Sequence, residues 1–456
     1  MPNARTSLTA HESHLRECLA CGMFQQVPPV KATQAAHCCR CDAPLRRGRR
    51  NPLTYSLAFT LAAALMLALA VGLPFLGLRA LGRFYPSTML TGPVALSRQG
   101  LPELGLLVLM CAIVMPAIKL GLMAYVLVGL RTANPPASLP RAFAWLDSVR
   151  PWAMVEVFML GVFVAFSRLE AIATVTIGPA LYAIGACMLL TAAADASLDH
   201  EAVWDEIDRR GLSGPPLDTG PQRISCTSCH RVHHAREGER CTRCHTTLRL
   251  RTPRSVATTW SLVLASLVFY LPANLLPVMT VVRYGRSQPD TIMSTVKQLG
   301  EAGMWPLAAL VFFASIMVPG AKLLALILMM VTTHRRSAWA LRGRSKLHRI
   351  VEAVGRWSML DVFLLSTLVA LVRLGLLTTI RPESGDIYFA AVVVLTMIAA
   401  RSFDSRLMWD AAGRSGADRP GSPEIAAALS ALGTPPAGTA PHDARPADAR
   451  PAGARP

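Results

Sequence analysis

Eight cysteines stand in four Cys-x-x-Cys pairs, and the pairs form two groups far apart in the chain. The groups are Cys18, Cys21, Cys38 and Cys41, then Cys226, Cys229, Cys241 and Cys244. Four thiolates on two such turns can close a tetrahedral site around Zn²⁺. A redox site would instead need a Cys-x-x-Cys opening a helix in a strand–helix–strand unit, a pattern missing from this sequence. We therefore predict two structural zinc sites, closed by four sulfurs and without an open position for catalysis.

Other side chains that bind metals lie beside both groups. Cys39 directly follows Cys38, so spacing alone leaves open which of the two is the ligand. Four histidines lie close to the second group but are not needed to complete it. They are His230, His233, His234 and His245.

The chain is one module used twice. Each cysteine group is followed by a short basic segment and then by a long apolar region. A shift of 203 residues places Lys119 on Lys322, and a shift of 205 residues places Glu156 on Asp361. Register kept over such a distance indicates an internal duplication.

The composition indicates a membrane protein. Of 456 residues, 52% are hydrophobic and only 16% are charged, which is too apolar for a soluble chain of this length. The apolar residues form runs long enough to cross a hydrocarbon core of about 30 Å. The formal net charge of +18 lies beside these runs with few interleaved aromatics, unlike a nucleic-acid surface. We therefore expect no nucleic acid as partner. No GxxxxGK[ST] loop is present, so we also expect no nucleotide.

We predict an all-α polytopic membrane protein of two tandem repeats, each a small cytoplasmic four-cysteine zinc ribbon followed by four transmembrane helices. The eight predicted spans are 53–78, 101–130, 152–169, 172–194, 255–282, 304–330, 357–377 and 387–400. The predicted domains are a disordered tail 1–14, ribbon 15–50, transmembrane domain 51–200, linker 201–222, ribbon 223–252, transmembrane domain 253–410 and a disordered Pro/Ala/Arg-rich tail 411–456.

The basic residues predict the orientation. Counted along the sequence, the segments on the side of the two ribbons carry 28 Lys and Arg, and the opposite loops carry 9. Loops rich in Lys and Arg stay in the cytoplasm. We therefore expect both termini and both ribbons to be cytoplasmic, where cysteines remain reduced.

Two lysines lie deep in predicted spans. Lys119 is twelve residues from Arg131, about 18 Å along a helix, which is far for a side chain that snorkels to the membrane surface. Lys322 is its counterpart. We predict Glu156 and Asp361, which begin the third spans, as their counter-ions. Such pairs are either structural or serve proton coupling and gating, and the sequence leaves both roles open.

Prolines interrupt the fifth predicted span within Leu-Pro-Ala-Asn-Leu-Leu-Pro-Val-Met. Pro272 and Pro277 remove two backbone donors, and Asn274 lies between them. Breaks of this kind are tolerated where protein or a cavity satisfies the freed carbonyls. Together with Thr291 in the polar segment that follows, these residues are candidates for a lipid path, although a plain kink is equally compatible with the sequence.

These features resemble the paraquat-inducible protein A family. The most specific stretches are 271–279, the pair Thr291-Ile292, and 303–322, which contains Gly-Met-Trp-Pro-Leu-Ala and Val-Pro-Gly-Ala-Lys. The resemblance covers roughly residues 15–410. It implies an inner-membrane protein that passes phospholipid to a periplasmic MCE-domain tunnel protein and so supports the cell envelope. Because the residues offer no nucleophile–base pair and no open metal site, we expect no enzymatic activity. The alternative is a membrane scaffold or a sensor that responds to zinc or oxidants through its ribbons.

Overall fold

The computed structural model describes residues 15–27, 30, 34–49, 51–80, 83–170, 174–283, 286–371, 373–374 and 378–414. The predicted disordered tails, 1–14 and most of 411–456, lie outside these ranges. The described part of the chain contains eight helices that are long and apolar enough to cross a membrane. The predicted fold class, an all-α polytopic membrane protein of two tandem repeats with four-cysteine units, is confirmed.

The first half begins with four short strands and continues with eight helices. The strands of its ribbon are β1 (Leu15–Glu17), β2 (Phe24–Gln26), β3 (Ala35–His37) and β4 (Pro44–Arg47). Its helices are α1 (Pro52–Gly72), α2 (Thr91–Arg98), α3 (Pro102–Leu109), α4 (Met115–Gly129), α5 (Leu139–Val149), α6 (Val155–Glu170), α7 (Pro179–Ser197) and α8 (His200–Arg209). Strands β5 (Leu76–Ala80), β6 (Arg83–Ser87) and β7 (Thr174–Ile177) lie between them.

The second half repeats this order. Its ribbon contains β8 (Gln222–Ser225) and β9 (Val232–Ala235). Its helices are α9 (Ser255–Leu275), α10 (Ile292–Glu301), α11 (Trp305–Phe312), α12 (Val318–His334), α13 (Leu341–Val354), α14 (Leu360–Leu371), α15 (Ser384–Ser402) and α16 (Arg406–Ala411). Strands β10 (Met279–Arg283), β11 (Arg286–Asp290), β12 (Arg373–Leu374) and β13 (Thr378–Pro382) correspond to those of the first half.

Small antiparallel sheets follow the first span of each half, and the sequence did not predict them. The first sheet has the order β6-β5-β7, and the second has the order β11-β10-β13-β12. Each sheet joins a strand after the first span to strands before the fourth, so it ties together segments about 100 residues apart. Helix α1 has 21 residues and separates ribbon from sheet by about 30 Å. We call the two ends the ribbon side and the sheet side.

The second span of each half contains a proline but stays helical along its length. A π-turn at Met110–Val114 precedes Pro116, and another at Phe313–Met317 precedes Pro319. Proline cannot donate the hydrogen bond of an α-helix, and the wider turn just before it relieves the mismatch while the helix continues. Each second span therefore accommodates its proline with a local π-bulge and continues as one helix.

The first and fourth spans pack as a pair in each half, α1 with α7 and α9 with α15. The third spans, α6 and α14, pack against each other where the halves meet. There the rings of Phe158 and Phe363 meet edge to face with centroids 5.6 Å apart. One buried apolar cluster runs through both halves, so the duplicates share a core.

Several boundaries differ from the predicted ones. The fifth span ends at Leu275, and Pro277 lies outside it in the turn that leads to β10. The apolar residues up to Val282 belong to the sheet, and hydropathy alone did not separate them from the helix. The third spans extend further toward the ribbon side than predicted, because the amphipathic helices α5 and α13 run on into α6 and α14.

A glycine at the start of α15 allows its close approach to the turn that follows α9. A Cβ atom at Gly385 would lie 2.5 Å from the carbonyl oxygen of Pro277. We expect Gly385→Ala to lower the stability of the protein by about 1–3 kcal/mol, because the backbone would have to shift. Gly121→Ala is the control, since nothing lies within 4 Å of its added Cβ. Thermal unfolding of the purified protein measures both, and equal midpoints would contradict this packing.

Candidate metal centres and membrane-embedded charges

The eight predicted cysteine ligands form two buried clusters. In each cluster the four sulfur atoms lie within 4.8 Å of one another. Four separations are Cys18–Cys41 at 3.5 Å, Cys21–Cys38 at 3.6 Å, Cys226–Cys244 at 3.4 Å and Cys229–Cys241 at 3.5 Å. A tetrahedral site with metal–sulfur bonds near 2.3 Å has edges of about 3.8 Å. Each cluster could therefore hold a metal ion, whose positive charge would stabilise thiolates that otherwise repel one another.

The same turn recurs at all four Cys-x-x-Cys pairs. The residue after each second cysteine has a left-handed backbone, and its N–H donates to the carbonyl of the first cysteine. These residues are Gly22, Asp42, His230 and His245, with φ of 75°, 58°, 56° and 62°. Asp and His tolerate this conformation better than most residues. His230 and His245 are thus turn residues, and burial lowers the pKa of His230 to about 4, which keeps its ring neutral.

The structure selects Cys38 over Cys39. Cys38 is buried within the first cluster, whereas Cys39 is exposed. The backbone N–H of Cys39 donates to the Gln25 side-chain oxygen, 3.4 Å away, and its thiol donates to the same oxygen at 3.3 Å. Its position inside a Cys-x-x-Cys turn points the side chain away from the other sulfurs.

His233 supports the second cluster from outside it. Its Nε2 lies 3.2 Å from the Cys241 sulfur, and its Nδ1 accepts a hydrogen bond of 3.1 Å from the Leu217 backbone N–H. Because Nδ1 accepts, the ring proton is assigned to Nε2 and points at the sulfur. Hydrogen bonds from Cys226 and Cys229, together with that from His233, hold the pKa of Cys241 below its usual range. A donor in this position stabilises a metal-bound thiolate.

The second ribbon is fixed to helix α8 by an arginine from its own cysteine turn. The guanidinium of Arg243 lies 5.2 Å from the ring centroid of Trp204, and its Nε donates to Asp208 at 3.1 Å. Arg243 and Trp204 are 3% and 2% exposed. Helix α8 lies in the segment predicted as a linker, which is therefore partly the docking site of the ribbon.

The first ribbon uses the equivalent residues but docks at the far end of the chain. Arg40, which precedes Cys41 as Arg243 precedes Cys244, lies 4.3 Å from the ring centroid of Trp409 in α16. Arg406 then donates to Glu17 in β1 at 3.1 Å. Burial opposes the ionised form of Asp404, but hydrogen bonds from Arg406 outweigh it and hold the pKa of Asp404 below its usual value. Each ribbon thus packs on the last helix of one half. The second ribbon packs on α8 of the first half, and the first ribbon packs on α16 of the second half.

Lys119 has a different counter-ion from the one predicted. Its Nζ donates to Asp195 in α7 at 2.6 Å, and the described residues show no ion pair between Lys119 and Glu156. The reason is that α1, α4 and α7 pack together, with Leu67, Leu120 and Cys187 in one cluster. This arrangement brings the fourth span, rather than the third, against Lys119. Glu156 and Lys119 both line a small cavity of about 10 Å³, and Glu156 also lines a cavity of about 500 Å³ between the halves, together with Arg150, Arg349 and Arg401.

Lys322 is buried in the second half among few polar groups. It is 2% exposed, and its Nζ lies 3.5 Å from the Ser358 hydroxyl. The position equivalent to Asp195 is Ala400, so the second half lacks the carboxylate that pairs with Lys119. Asp361 follows Ser358 by three residues at the start of α14. The pairing of Lys322 with Asp361 stays a prediction.

The predicted lipid-path residues have identifiable structural contacts. Pro272 lies inside α9, while the Asn274 side chain donates to the carbonyl of Tyr270 at 2.8 Å. The Tyr270 hydroxyl donates to the carbonyl of Ile316 in the second π-turn at 3.2 Å. Thr291 caps helix α10, since its hydroxyl accepts from the Ser294 N–H at 3.2 Å. These contacts satisfy backbone groups, and a role along a lipid path stays a prediction.

We expect Arg243→Gln to release the second ribbon from α8 while leaving the cysteine cluster intact. The change removes charge-assisted hydrogen bonds to Asp208, worth about 2 kcal/mol, so amide hydrogen exchange in 222–252 should rise about 30-fold. Arg240→Gln, at an exposed position in the same ribbon, is the control and should leave exchange unchanged. If both variants exchange like the parent protein, Arg243 does not hold the ribbon in place.

The chain matches the family described as Paraquat-inducible protein A over residues 53–208 and 256–413. It is 32% identical over 397 residues to Lipophilic envelope-spanning tunnel protein A of Escherichia coli K12, with 87% of this chain and 91% of the relative covered. It is 33% identical over 407 residues to Intermembrane transport protein PqiA of the same strain, with 86% and 95% covered. It is 27% identical over 414 residues to Probable intermembrane transport protein of Haemophilus influenzae Rd, with 89% and 98% covered. No solved structure matches the chain significantly. The chain belongs to the paraquat-inducible protein A family.

Proposed function

We propose that this protein is the inner-membrane component of an MCE-type lipid transport system. It passes phospholipid between the inner membrane and a periplasmic MCE-domain tunnel protein and thereby maintains the cell envelope. The observation that carries the proposal is that relatives named as intermembrane transport or envelope-spanning tunnel proteins align with both halves of this chain. Those relatives are named as transport proteins, which supports a function without catalysis.

The orientation in this proposal places the ribbon side in the cytoplasm. Its support is the excess of Lys and Arg in the segments on that side. The sheets then face the periplasm, where a tunnel protein would meet the chain. In this orientation their short strands lie at the periplasmic end of each half.

Both clusters hold structural zinc in this proposal. Sulfur separations of 3.4–3.6 Å and full burial of the ligands suit a closed Zn²⁺ site. The ion would fix the two turns of each ribbon, and the arginine between the cysteines would then be held against its tryptophan. Zinc therefore stabilises the docking of each ribbon on its helix and takes no part in moving lipid.

We expect two zinc ions per purified chain. Cys241→Ser should lose one of them and lower the amount of protein in the membrane, because the second ribbon loses a ligand and its hydrogen-bond partner His233. Cys39→Ser is the matched control and should keep both ions, since Cys39 lies outside the cluster. Elemental analysis against protein concentration gives the stoichiometry. Stable protein without zinc would refute the assignment.

Lys322 and Asp361 carry the transport role in this proposal, and Lys119 and Glu156 occupy the corresponding positions of the first half without carrying it. An ionised lysine deep in a membrane costs about 3 kcal/mol or more, so it persists with a partner or a task. Lys119 already has a direct partner in Asp195. Lys322 retains only a long hydrogen bond to a hydroxyl at the positions described, which leaves it able to respond to a change of charge nearby.

We expect the double variant Lys322→Met, Asp361→Asn to insert normally but to fail in transport. Removing both charges avoids leaving one of them stranded in the core. The matched control, Lys119→Met with Asp195→Asn, removes a closed ion pair and should retain most function. Complementation of the permeability defect in a strain without its own family members measures transport. Co-purification of lipid and tunnel protein reports assembly. Full complementation by the first double variant would reduce its pair to a structural contact.

A further inference from the structure

Asp386 is a fully buried carboxyl group for which the described residues offer no hydrogen-bond partner. It is the third residue of α15 and is 0% exposed. Neither of its carboxyl oxygens has a hydrogen-bond partner in the described part of the chain. An ionised carboxylate without partners is strongly disfavoured in such surroundings.

A second carboxyl group shares the space in front of Asp386. Asp361 and Asp386 line one cavity of about 30 Å³, which has room for one or two water molecules. The other lining residues are apolar apart from one hydroxyl: Val278, Met279, Ile292, Thr295, Val311, Leu364, Leu365 and Phe389. Asp361 and Asp386 are the titratable or charged groups among the lining residues, and no lining side chain is basic. Two negative charges this close in apolar surroundings would repel each other.

The first half shows that the fold does not need this carboxyl group. With the shift of 205 residues, Leu181 occupies the position of Asp386, while Glu156 occupies that of Asp361. Leu181 packs against the shared apolar core. Likewise, Ser358 beside Lys322 is matched by Ala153. The second half therefore carries polar groups at positions where an apolar side chain completes the same structure in the first half.

We propose that Asp361 and Asp386 form a carboxyl pair that binds one proton from the sheet side, and that this proton is the coupling ion of transport. This inference rests on the proposed function. The binding step transfers a proton from water to a carboxylate oxygen, so that an O–H bond forms and the pair carries one negative charge. A metal cation is less suited to the site, because it prefers several oxygen ligands and the described lining adds only the Thr295 hydroxyl to the two carboxyl groups.

The location of the pair links it to Lys322. Asp386 lies in the first turn of α15, next to the strand β13 of the sheet. Asp361 opens α14, and Ser358 in the preceding turn lies within 3.5 Å of the Lys322 ammonium. Asp386, Asp361 and Ser358 thus form a series of polar residues between the sheet side and Lys322. A change in the charge of the pair would act on Lys322 along this line of residues.

Chemical labelling of the full-length protein in lipid nanodiscs tests the proton directly. Dicyclohexylcarbodiimide adds to protonated carboxyl groups in apolar surroundings, and peptide mass spectrometry locates the adduct. We expect an adduct at Asp386 near neutral pH that declines as the pH rises, and no adduct at Asp404, which is ion-paired outside the membrane spans. In Asp361→Asn the decline should shift to lower pH, because the neighbouring charge no longer disfavours ionisation. Absence of the Asp386 adduct at every pH, or its suppression by Na⁺ at constant ionic strength, would overturn the proposal.

Asp386→Leu tests the coupling, because it copies the residue of the first half. We expect this variant to unfold at the same temperature as the parent protein within a few degrees and to bind lipid, but to lose complementation. Glu383→Gln, which changes the nearby carboxyl that accepts a hydrogen bond from Thr280, is the matched control and should complement. Full complementation by Asp386→Leu would overturn the inference. If Asp386 gives no adduct while Lys322→Met, Asp361→Asn still abolishes transport, the proposed function stands and this carboxyl pair falls.

Discussion

The absence of water between the two membrane surfaces constrains every polar group that the helices carry. Most such groups in the described spans have found a partner in the protein. The hydroxyl of Thr60 donates to the Ser56 carbonyl one turn back, and Lys119 lies against Asp195. The tyrosine hydroxyl on α9 reaches a carbonyl in the π-turn that a proline made necessary. Against this background, unmatched polar atoms indicate residues retained for something other than stability.

The duplication allows equivalent positions to be compared directly, because each half serves as a reference for the other. Both halves keep the lysine, the π-bulge before the proline, the paired first and fourth spans and the arginine that stacks on a tryptophan. They differ in charge. The first half neutralises its lysine within one ion pair, whereas the second half distributes carboxyl and hydroxyl groups along its interior. The common features define the scaffold that the two halves share, and the differences lie in the charges of their interiors.

The sequence was sufficient for the parts of the structure that repeat at short range. Cysteine spacing predicted both clusters, and runs of apolar residues predicted eight spans. It failed at the span ends. The predicted fourth span stopped one residue before the half-buried Asp195, and the predicted eighth began one residue after the buried Asp386, so both carboxyl groups were placed outside the spans. A polar residue inside the end of a helix resembles a surface residue until the packing of its neighbours is known. The sheets and the docking of the ribbons join distant segments, and no local pattern reports such contacts.

The docking of the first ribbon has a consequence for biosynthesis. Glu17 and Arg406, which form an ion pair, are separated by 389 residues. At roughly 5–20 residues per second, the ribosome needs about 20–80 s to make the chain between them. During that interval the tryptophan that binds Arg40 has not yet been synthesised. The first ribbon can therefore dock only after α16 has been made. The contact between the two ends of the chain thus forms last. A chain truncated before Trp409 would leave the first ribbon without its docking site.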